Sequence, residues 1–232
     1  ITGGSSGIGE NISEFLYAKG HKVVNLDLKK NKNKNIHYIK CDLSDVRDIK
    51  KSIKIFKIKF KKADVLINNA ATTIPNNLLK YNVKDWDKTF SVNLRAPFFL
   101  SKIVALNMVK NKISGSIINI TSIGAELAFP DNPAYQSSKA GLQHLSKSMA
   151  YDLSKYKIRV NNIMPGYTKT NMNKKSWTNN KKKKARAKRT LLNRWAKPNE
   201  LNSAIEFLID EKSKYVNGID LKVDGGWTIK GL

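Results

Sequence analysis

Short apolar runs rich in β-branched residues alternate with longer helical patterns along nearly all of this 232-residue chain. Such alternation predicts βαβ units and a parallel sheet covered by helices on both faces. The fold class is therefore α/β, a three-layer doubly wound parallel sheet in a single domain over residues 1–232. Strands are predicted at 22–27, 36–40, 65–68, 116–121, 158–164 and 219–223. Helices are predicted at 8–19, 45–60, 83–112 with a break near Pro97, 133–156 and 199–209.

A glycine-rich segment, Thr2-Gly3-Gly4-Ser5-Ser6-Gly7-Ile8-Gly9, opens the first predicted helix. Gly3, Gly7 and Gly9 allow a tight turn and a close backbone approach to a pyrophosphate. The free N–H groups and the positive dipole end of the helix would bind that anion. Because a loop of this kind normally follows a buried strand, we expect roughly five to eight residues of a first, central strand to precede Ile1.

Asp27 ends the next predicted strand, 18 residues after Gly9. A carboxylate at this position can accept hydrogen bonds from both hydroxyls of an adenosine ribose, and it would repel a 2′-phosphate. Ser6 stands where a basic residue would favour the phosphorylated cofactor, so NAD(H) is favoured over NADP(H). Lys29 and Lys30 leave NADP(H) open as the alternative.

Tyr135 and Lys139 are four residues apart in a predicted helix and therefore share a face. An ammonium beneath a phenol stabilises the ionised phenol, so the pair can act as a proton donor or acceptor. Taken alone, the pair is a weak signal, and a surface tyrosine beside a solvated lysine is the more common explanation. The glycine-rich loop upstream favours the catalytic interpretation.

Further segments in a fixed order make the chain similar to the short-chain dehydrogenase/reductases over essentially its whole length. The resemblance implies a Rossmann fold and an NAD(P)-dependent oxidoreductase that acts on CH–OH groups. Besides the loop and the Tyr135–Lys139 pair, the matching segments are Cys41-Asp42-Leu43, Asn68-Asn69-Ala70-Ala71, Val92-Asn93-Leu94, Ile120-Thr121-Ser122, Pro165 to Thr170 and Val223 to Trp227.

The resemblance implies a role for each of four catalytic residues. Tyr135 would exchange a proton with the substrate oxygen, and Ser122 would hydrogen-bond the same oxygen. Lys139 would bind the nicotinamide ribose and, with the oxidised nicotinamide, lower the pKa of the phenol. Asn93 would hold a water that links Lys139 to bulk solvent.

The same resemblance implies the cofactor contacts. The adenine would lie between Asp42 and Leu43, Thr168 would meet the carboxamide, and Thr170 would reach the pyrophosphate. The full predicted set is Gly3, Ser5, Ser6, Gly7, Ile8, Gly9, Asp27, Asp42, Leu43, Asn69, Ala70, Tyr135, Lys139, Pro165, Gly166, Thr168 and Thr170.

The formal charge of +25 raises the question of nucleic acid. The lysines are scattered through the chain, and the clusters at 29–34 and 174–189 lack the interleaved aromatic residues of a single-strand binding face. We therefore predict no nucleic-acid partner and interpret the clusters as solvated loops. The later cluster has an alternative role, the attraction of an anionic substrate. His21, His37 and His144 are far apart in sequence, and with one cysteine they predict no metal site.

The sequence contains no run of 18 apolar residues and no signal-peptide pattern, so we expect no membrane span. The single Cys41 fits a cytoplasmic, reducing location. Residues 171–194 have the composition of a mobile insertion and are predicted to form a substrate lid.

The predicted reaction is hydride transfer between NAD(H) and a secondary alcohol or ketone, with a small polar or sugar-like substrate. An NADP(H)-dependent 3-oxoacyl thioester reductase is the alternative, because Leu192 to Glu200 resembles a segment found in both groups. Two non-enzymatic alternatives are a cofactor-binding regulatory protein and a basic nucleic-acid-binding protein. Family members commonly form homotetramers or homodimers through the long helices after Val83 and Pro133, and we predict a homotetramer.

Overall fold

The computed structural model describes residues 1–230. Within this range, strands and helices alternate in the predicted order. The strands are β1 Val24–Asp27, β2 His37–Lys40, β3 Val65–Asn68, β4 Ser116–Ile120, β5 Arg159–Pro165 and β6 Asp220–Val223. The helices are α1 Gly7–Ala18, α2 Val46–Phe60, α3 Val83–Phe90, α4 Ala96–Lys110, α5 Pro133–Leu153, α6 Lys174–Trp177, α7 Asn180–Ala187 and α8 Asn202–Ile209.

All paired strands are parallel, so their carboxyl ends lie at one edge of the sheet. One part has the order β1-β2 and the other the order β3-β4-β5-β6. The first three residues lie between the two parts. The Thr2 N–H donates to Ile67 O at 3.0 Å, and the Gly3 N–H donates to Leu26 O at 3.0 Å. The glycine-rich loop therefore leaves from the centre of the sheet.

Helices cover both faces of the sheet, as predicted. Leu66 and Ile117 pack in a buried cluster with side chains of α2, α4 and α5. The next residue of each strand, Ile67 and Ile118, packs on the other face with α1 and α8. Because successive side chains of a strand point to opposite faces, apolar residues at adjacent positions require both faces to be covered.

The predicted helix break near Pro97 is wrong. Between α3 and α4 the chain forms a π-helical turn, Ser91–Arg95, and the helical course continues from Val83 to Lys110. Pro97 is the second residue of α4, which directly follows the π-helical turn, so its missing N–H falls where the hydrogen-bond pattern of the helix changes. Val83–Lys110 is the stretch within residues 1–230 with enough length and apolar character to cross a bilayer, yet half of its most apolar window is buried inside the fold.

Residues 171–194 contain more regular structure than their composition predicts. A 3₁₀ turn at Asn171–Asn173 leads into α6 and α7. Two indoles anchor these helices: Trp177 Nε1 donates to Thr170 O at 2.8 Å, and Trp195 Nε1 donates to Lys183 O at 3.0 Å. Tertiary contacts of this kind override a polar local composition.

Candidate active site

A cleft of about 420 Å³ lies at the carboxyl edge of the sheet, where loops from several strands converge. It brings together residues that are far apart in the sequence. Among the predicted site residues, its walls contain Gly3, Ser6, Gly7, Ile8, Asp27, Asp42, Leu43, Asn69, Ala70, Ser122, Tyr135, Lys139, Pro165, Gly166, Thr168 and Thr170.

The glycine-rich loop has the backbone conformation that only glycine adopts easily. Gly3 and Gly7 have φ values of 64° and 57°. α1 begins at Gly7, and its N-cap residue Ser6 makes no side-chain capping bond. The first N–H groups of α1 therefore face the cleft without the usual cap, which suits an anion.

Thr2 and Asn69 hold this loop against the end of β3. Thr2 is buried, and its Oγ1 accepts the N–H groups of Asn69 and Ala70, each at 3.0 Å. Asn69 Nδ2 donates to Thr2 O at 3.0 Å and to Gly3 O at 3.1 Å. The sequence predicted a cofactor contact for Asn69 but not its second role as a support of the loop.

Asp27 faces the loop from the end of β1. Its carboxylate accepts the Ser5 N–H at 3.0 Å and the Lys29 N–H at 3.1 Å. Ser5 Oγ donates to Lys29 O at 2.6 Å, which closes the turn around the carboxylate. Asp27 is thus held in a fixed position before any ribose arrives.

Tyr135, Ser122 and Lys139 meet at the other end of the cleft. Lys139 Nζ lies 5.8 Å from the centroid of the Tyr135 ring, and it donates to Ile120 O at 2.6 Å. Ser122 follows β4, and its hydroxyl accepts the Gly124 N–H at 3.0 Å. The α-helical spacing and the strand end therefore bring two hydroxyls and an amine to one place.

Burial dominates the electrostatics of this group. It raises the pKa of the Tyr135 phenol, and hydrogen bonding with the Ser122 hydroxyl partly offsets that increase. Lys139 is 2% exposed, and burial lowers the pKa of its amine to about 7. The sequence predicted that Lys139 and the oxidised cofactor together lower the phenol pKa; among the protein's own influences, desolvation of the phenol is the largest, and it raises that pKa.

Asn93 lies behind the cleft rather than in its wall, and it is fully buried within the π-helical turn. Its Oδ1 accepts the Thr72 N–H at 2.8 Å, and its Nδ2 donates to Thr72 O at 2.9 Å and to Ser138 Oγ at 3.0 Å. Ser138 Oγ in turn donates to Tyr135 O at 2.7 Å. Asn93 thus ties the loop after β3 to the helix that carries Tyr135.

Two other predicted residues are also absent from the cleft wall. Gly9 packs inside the loop, where an added Cβ would lie 2.2 Å from Gly3 O. Ser5 is turned toward Lys29. Conversely, the wall contains Leu28, Lys88 and Val92, which the sequence reasoning missed. Lys88 Nζ donates to Ser44 Oγ at 2.9 Å beside the predicted adenine site, and no local motif signals that position.

The donor set of the cleft fits a dinucleotide. An uncapped helix N-terminus lies between a carboxylate suited to ribose hydroxyls, Asp27, and a buried tyrosine–lysine pair, Tyr135 and Lys139. The other wall is formed by Pro165, the last residue of β5, and by Thr170 in the segment that follows. Within residues 1–230, no group of three or more His, Cys, Asp or Glu side chains lies together as a metal site would require.

A cluster of aromatic side chains includes Tyr167, whose chain neighbours Gly166 and Thr168 line the cleft. Tyr167 lies 4.8 Å from Trp227 and 4.9 Å from Trp195 between ring centroids, and Phe129 lies 6.1 Å from both Tyr167 and Trp227. These rings come from the segments after β4, β5 and β6.

Comparison with known proteins agrees with this geometry. A family model described as "Enoyl-(Acyl carrier protein) reductase" matches residues 3–228. The 2-dehydro-3-deoxy-D-gluconate 5-dehydrogenase of Dickeya dadantii is 29% identical over 98% of this chain and 93% of its own length. The 3-oxoacyl-[acyl-carrier-protein] reductase of Thermotoga maritima is 31% identical over 99% of this chain and 96% of its own length.

A similar solved structure is that of 4-hydroxyisoleucine dehydrogenase complexed with NADH. It superposes with a TM-score of 0.96 at 31% identity, over 100% of this chain and 98% of the other. The similarity covers the full length in both sequence and structure. The glycine-rich loop and the Tyr135–Lys139 pair also lie in one cleft, and together these findings identify the family. The chain belongs to the short-chain dehydrogenase/reductase family, oxidoreductases that act on CH–OH groups with a nicotinamide cofactor.

Proposed function

We propose that this protein is an NAD(H)-dependent dehydrogenase of a small polar, sugar-like secondary alcohol, with Tyr135 as its general acid and base. The observation that carries the proposal is the shared cleft: Tyr135, Ser122 and Lys139 line the same cleft as the glycine-rich loop and Asp27. A bound nicotinamide supplies the hydride acceptor for oxidation and the donor for reduction. The protein supplies position, proton transfer and the exclusion of water.

Each residue has one task in this proposal. Tyr135 Oη takes the proton of the substrate hydroxyl during oxidation and returns it during reduction. Ser122 hydrogen-bonds the same substrate oxygen and stabilises the charge that develops there. Lys139 holds the ribose hydroxyls of the nicotinamide half, and Asn93 positions a water that connects Lys139 to solvent. The remaining predicted contacts, from Gly3 to Thr170, bind the cofactor along the cleft.

The preference for NAD(H) rests on Asp27. Its carboxylate is fixed by two backbone N–H groups at the end of β1, where a 2′-phosphate would bring a second negative charge. The Lys29 N–H donates to Asp27, and the Lys29 carbonyl accepts from Ser5 Oγ. Lys29 therefore stabilises this turn through its backbone, independently of its side-chain charge.

A second candidate is an NADP(H)-dependent reductase of 3-oxoacyl thioesters. The Thermotoga maritima relative bears that name, and Lys29 and Lys30 offer cations near the position of a 2′-phosphate. We favour the first candidate because Asp27 opposes that phosphate and because the Dickeya dadantii relative is named for a sugar acid.

The test is a screen of polyols, sugars, sugar acids and 3-oxoacyl thioesters with each cofactor, followed at the nicotinamide absorbance. We expect turnover of a polyol, sugar or sugar acid with NAD⁺. Turnover restricted to 3-oxoacyl thioesters with NADPH would establish the second candidate instead.

We further propose that residues 1–232 act as one cofactor-binding domain in the cytoplasm, with residues 171–194 as a substrate lid and a homotetrameric assembly. The single Cys41 is buried and reduced, which agrees with a reducing compartment. Segment 171–194 is attached beside the cleft, because Asn171, Met172 and Asn173 contribute to its wall.

A further inference from the structure

The lid contains one cation whose environment differs from that of the exposed lysines around it. Arg186, in the last turn of α7, is partly buried, and its Nη1 is fully buried without a hydrogen-bond partner. Its guanidinium carbon lies 4.8 Å from the centroid of the Tyr167 ring. A buried and unpaired guanidinium N–H is costly, and stacking on a ring offsets only part of that cost.

No acidic residue of the protein compensates Arg186. The segment 171–199 contains no Asp or Glu. The ion pairs found within residues 1–230 do not include Arg186 either. A structural salt bridge therefore does not explain the position of this side chain.

Tyr167 connects Arg186 to the reacting end of the cleft. Its chain neighbours Gly166 and Thr168 both line the cleft. Its phenol is close enough that its charge contributes to raising the pKa of Tyr135. The guanidinium thus packs on a ring whose two chain neighbours line the cleft.

The placement of Arg186 is fixed by tertiary contacts. Trp195 Nε1 donates to Lys183 O one turn earlier in α7, and the same indole packs on Tyr167 at 4.9 Å. α7 is therefore pinned to the aromatic cluster at the level of Arg186. A guanidinium held in this way is preorganised to bind a planar oxyanion with two parallel hydrogen bonds.

We propose that Arg186 binds the carboxylate of the substrate, so that the preferred substrates of this site are hydroxy acids such as sugar acids. This inference rests on the proposed function and names the substrate class within it. The carboxylate would lie over Tyr167 and satisfy the buried Nη1, while the hydroxyl to be oxidised lies at Tyr135 and Ser122. A neutral polyol of the same carbon skeleton would leave Nη1 unpaired and would be used less well.

The test compares pairs of aldonic acids and alditols of equal chain length, with wild type, Arg186→Met and Arg186→Lys. For Arg186→Met we expect kcat/KM for the acids to fall about thirtyfold, mostly through KM, and kcat/KM for the alditols to change by less than about threefold. Arg186→Lys should recover part of the loss. Lys51→Met removes one exposed charge from α2, outside the lid, and should leave the acid-to-alditol ratio unchanged.

A binding measurement decides the question independently of turnover. Aldonic acids and sugar phosphates are titrated into the NADH-loaded protein, and the change in NADH fluorescence is followed. Binding of the acids that Arg186→Met abolishes and Lys51→Met preserves supports the inference. Three results would overturn it. The first is that the acids do not bind, and the second is that Arg186→Met lowers kcat/KM equally for acids and alditols. The third is that binding of the sugar phosphates depends on Arg186 more strongly than binding of the acids does. Failure of the proposed function has a different signature: no cofactor-dependent turnover of any substrate and no effect of Tyr135→Phe.

Discussion

At the residue scale, the proposed proton chemistry depends on one partly buried phenol, that of Tyr135. Replacement of Tyr135 with Phe removes the only group proposed to exchange a proton with the substrate oxygen and leaves the ring packing in place. We expect kcat to fall by about a hundredfold or more, with the NADH dissociation constant changed less than twofold. Steady-state kinetics and NADH fluorescence titration measure the two quantities.

Tyr151→Phe is the matched control, because that tyrosine is exposed on the same helix. It should retain wild-type kinetics. Activity of Tyr135→Phe within tenfold of wild type would contradict the assigned role.

The buried amine of Lys139 leads to a prediction about the pH dependence of stability. Its pKa falls from 10.5 to about 7 on burial, so between these values the unfolded chain binds more protons at this site than the folded one. The stability of the folded protein therefore increases with pH across this window, and the full cost of the buried charge is present below pH 7. Relative to Lys139→Met, wild type should gain about 2 kcal/mol in free energy of unfolding between pH 6 and 9. Urea denaturation at several pH values measures this difference, and a constant difference would exclude a buried, titrating amine.

Asp27 sets the expected cofactor selectivity. Asp27→Ala removes the proposed acceptor of two ribose hydroxyls and the charge that we expect to oppose a 2′-phosphate. The NADH dissociation constant should rise about tenfold, and the preference for NAD⁺ over NADP⁺ in kcat/KM should fall. Asp152→Ala removes an exposed carboxylate elsewhere and should change neither quantity. Unchanged selectivity in Asp27→Ala would place the determinant elsewhere, with Lys29 and Lys30 as the next positions to test.

At the element scale, the π-helical turn before α4 decides where Asn93 points. The turn directs Asn93 inward, where it bonds both backbone groups of Thr72 and the hydroxyl of Ser138. A regular α-helix through the same residues would have a different number of residues per turn and would rotate Asn93 away. The turn is thus a local departure from regular structure that serves the site.

Asn93→Ala should therefore affect both stability and activity. It leaves the Thr72 N–H buried without a partner, so the free energy of unfolding should fall by about 2 kcal/mol, and kcat should fall with it. Asn111→Ala, which removes a single hydrogen bond to Asn107 O at the end of the same helix, provides the comparison. Equal effects of the two variants on stability would show that Asn93 does not tie the elements together.

At the scale of the whole molecule, α4 leaves apolar side chains uncovered. Phe98 is 40% exposed and Leu106 is 60% exposed, on the helix that we propose forms the assembly interface. Sedimentation velocity should give a tetramer for wild type and a smaller species for the double variant Phe98→Glu, Leu106→Glu. Ile58→Glu, at an even more exposed apolar position on α2, should not dissociate the assembly. A wild-type monomer at micromolar concentration would refute the homotetramer.

The sequence by itself determined the alternation of strands and helices, the loop before α1, the acid at the end of β1 and the Tyr135–Lys139 pair. These features depend on residues near one another in the chain, where steric preferences and periodicity act directly. Strand β3 was predicted to the residue because its apolar run ends at the polar Asn68.

The tertiary structure alone decided the rest: the depth at which Lys139 is buried, the π-helical turn around Asn93, the helices within 171–194 and the packing of Arg186 on Tyr167. Each of these depends on partners far away in sequence, such as Trp195 for α7 and Thr72 for Asn93. A pKa, a helix in a lysine-rich segment or an unpaired guanidinium is set by what surrounds a residue in space, because desolvation and packing act between elements and not along the chain.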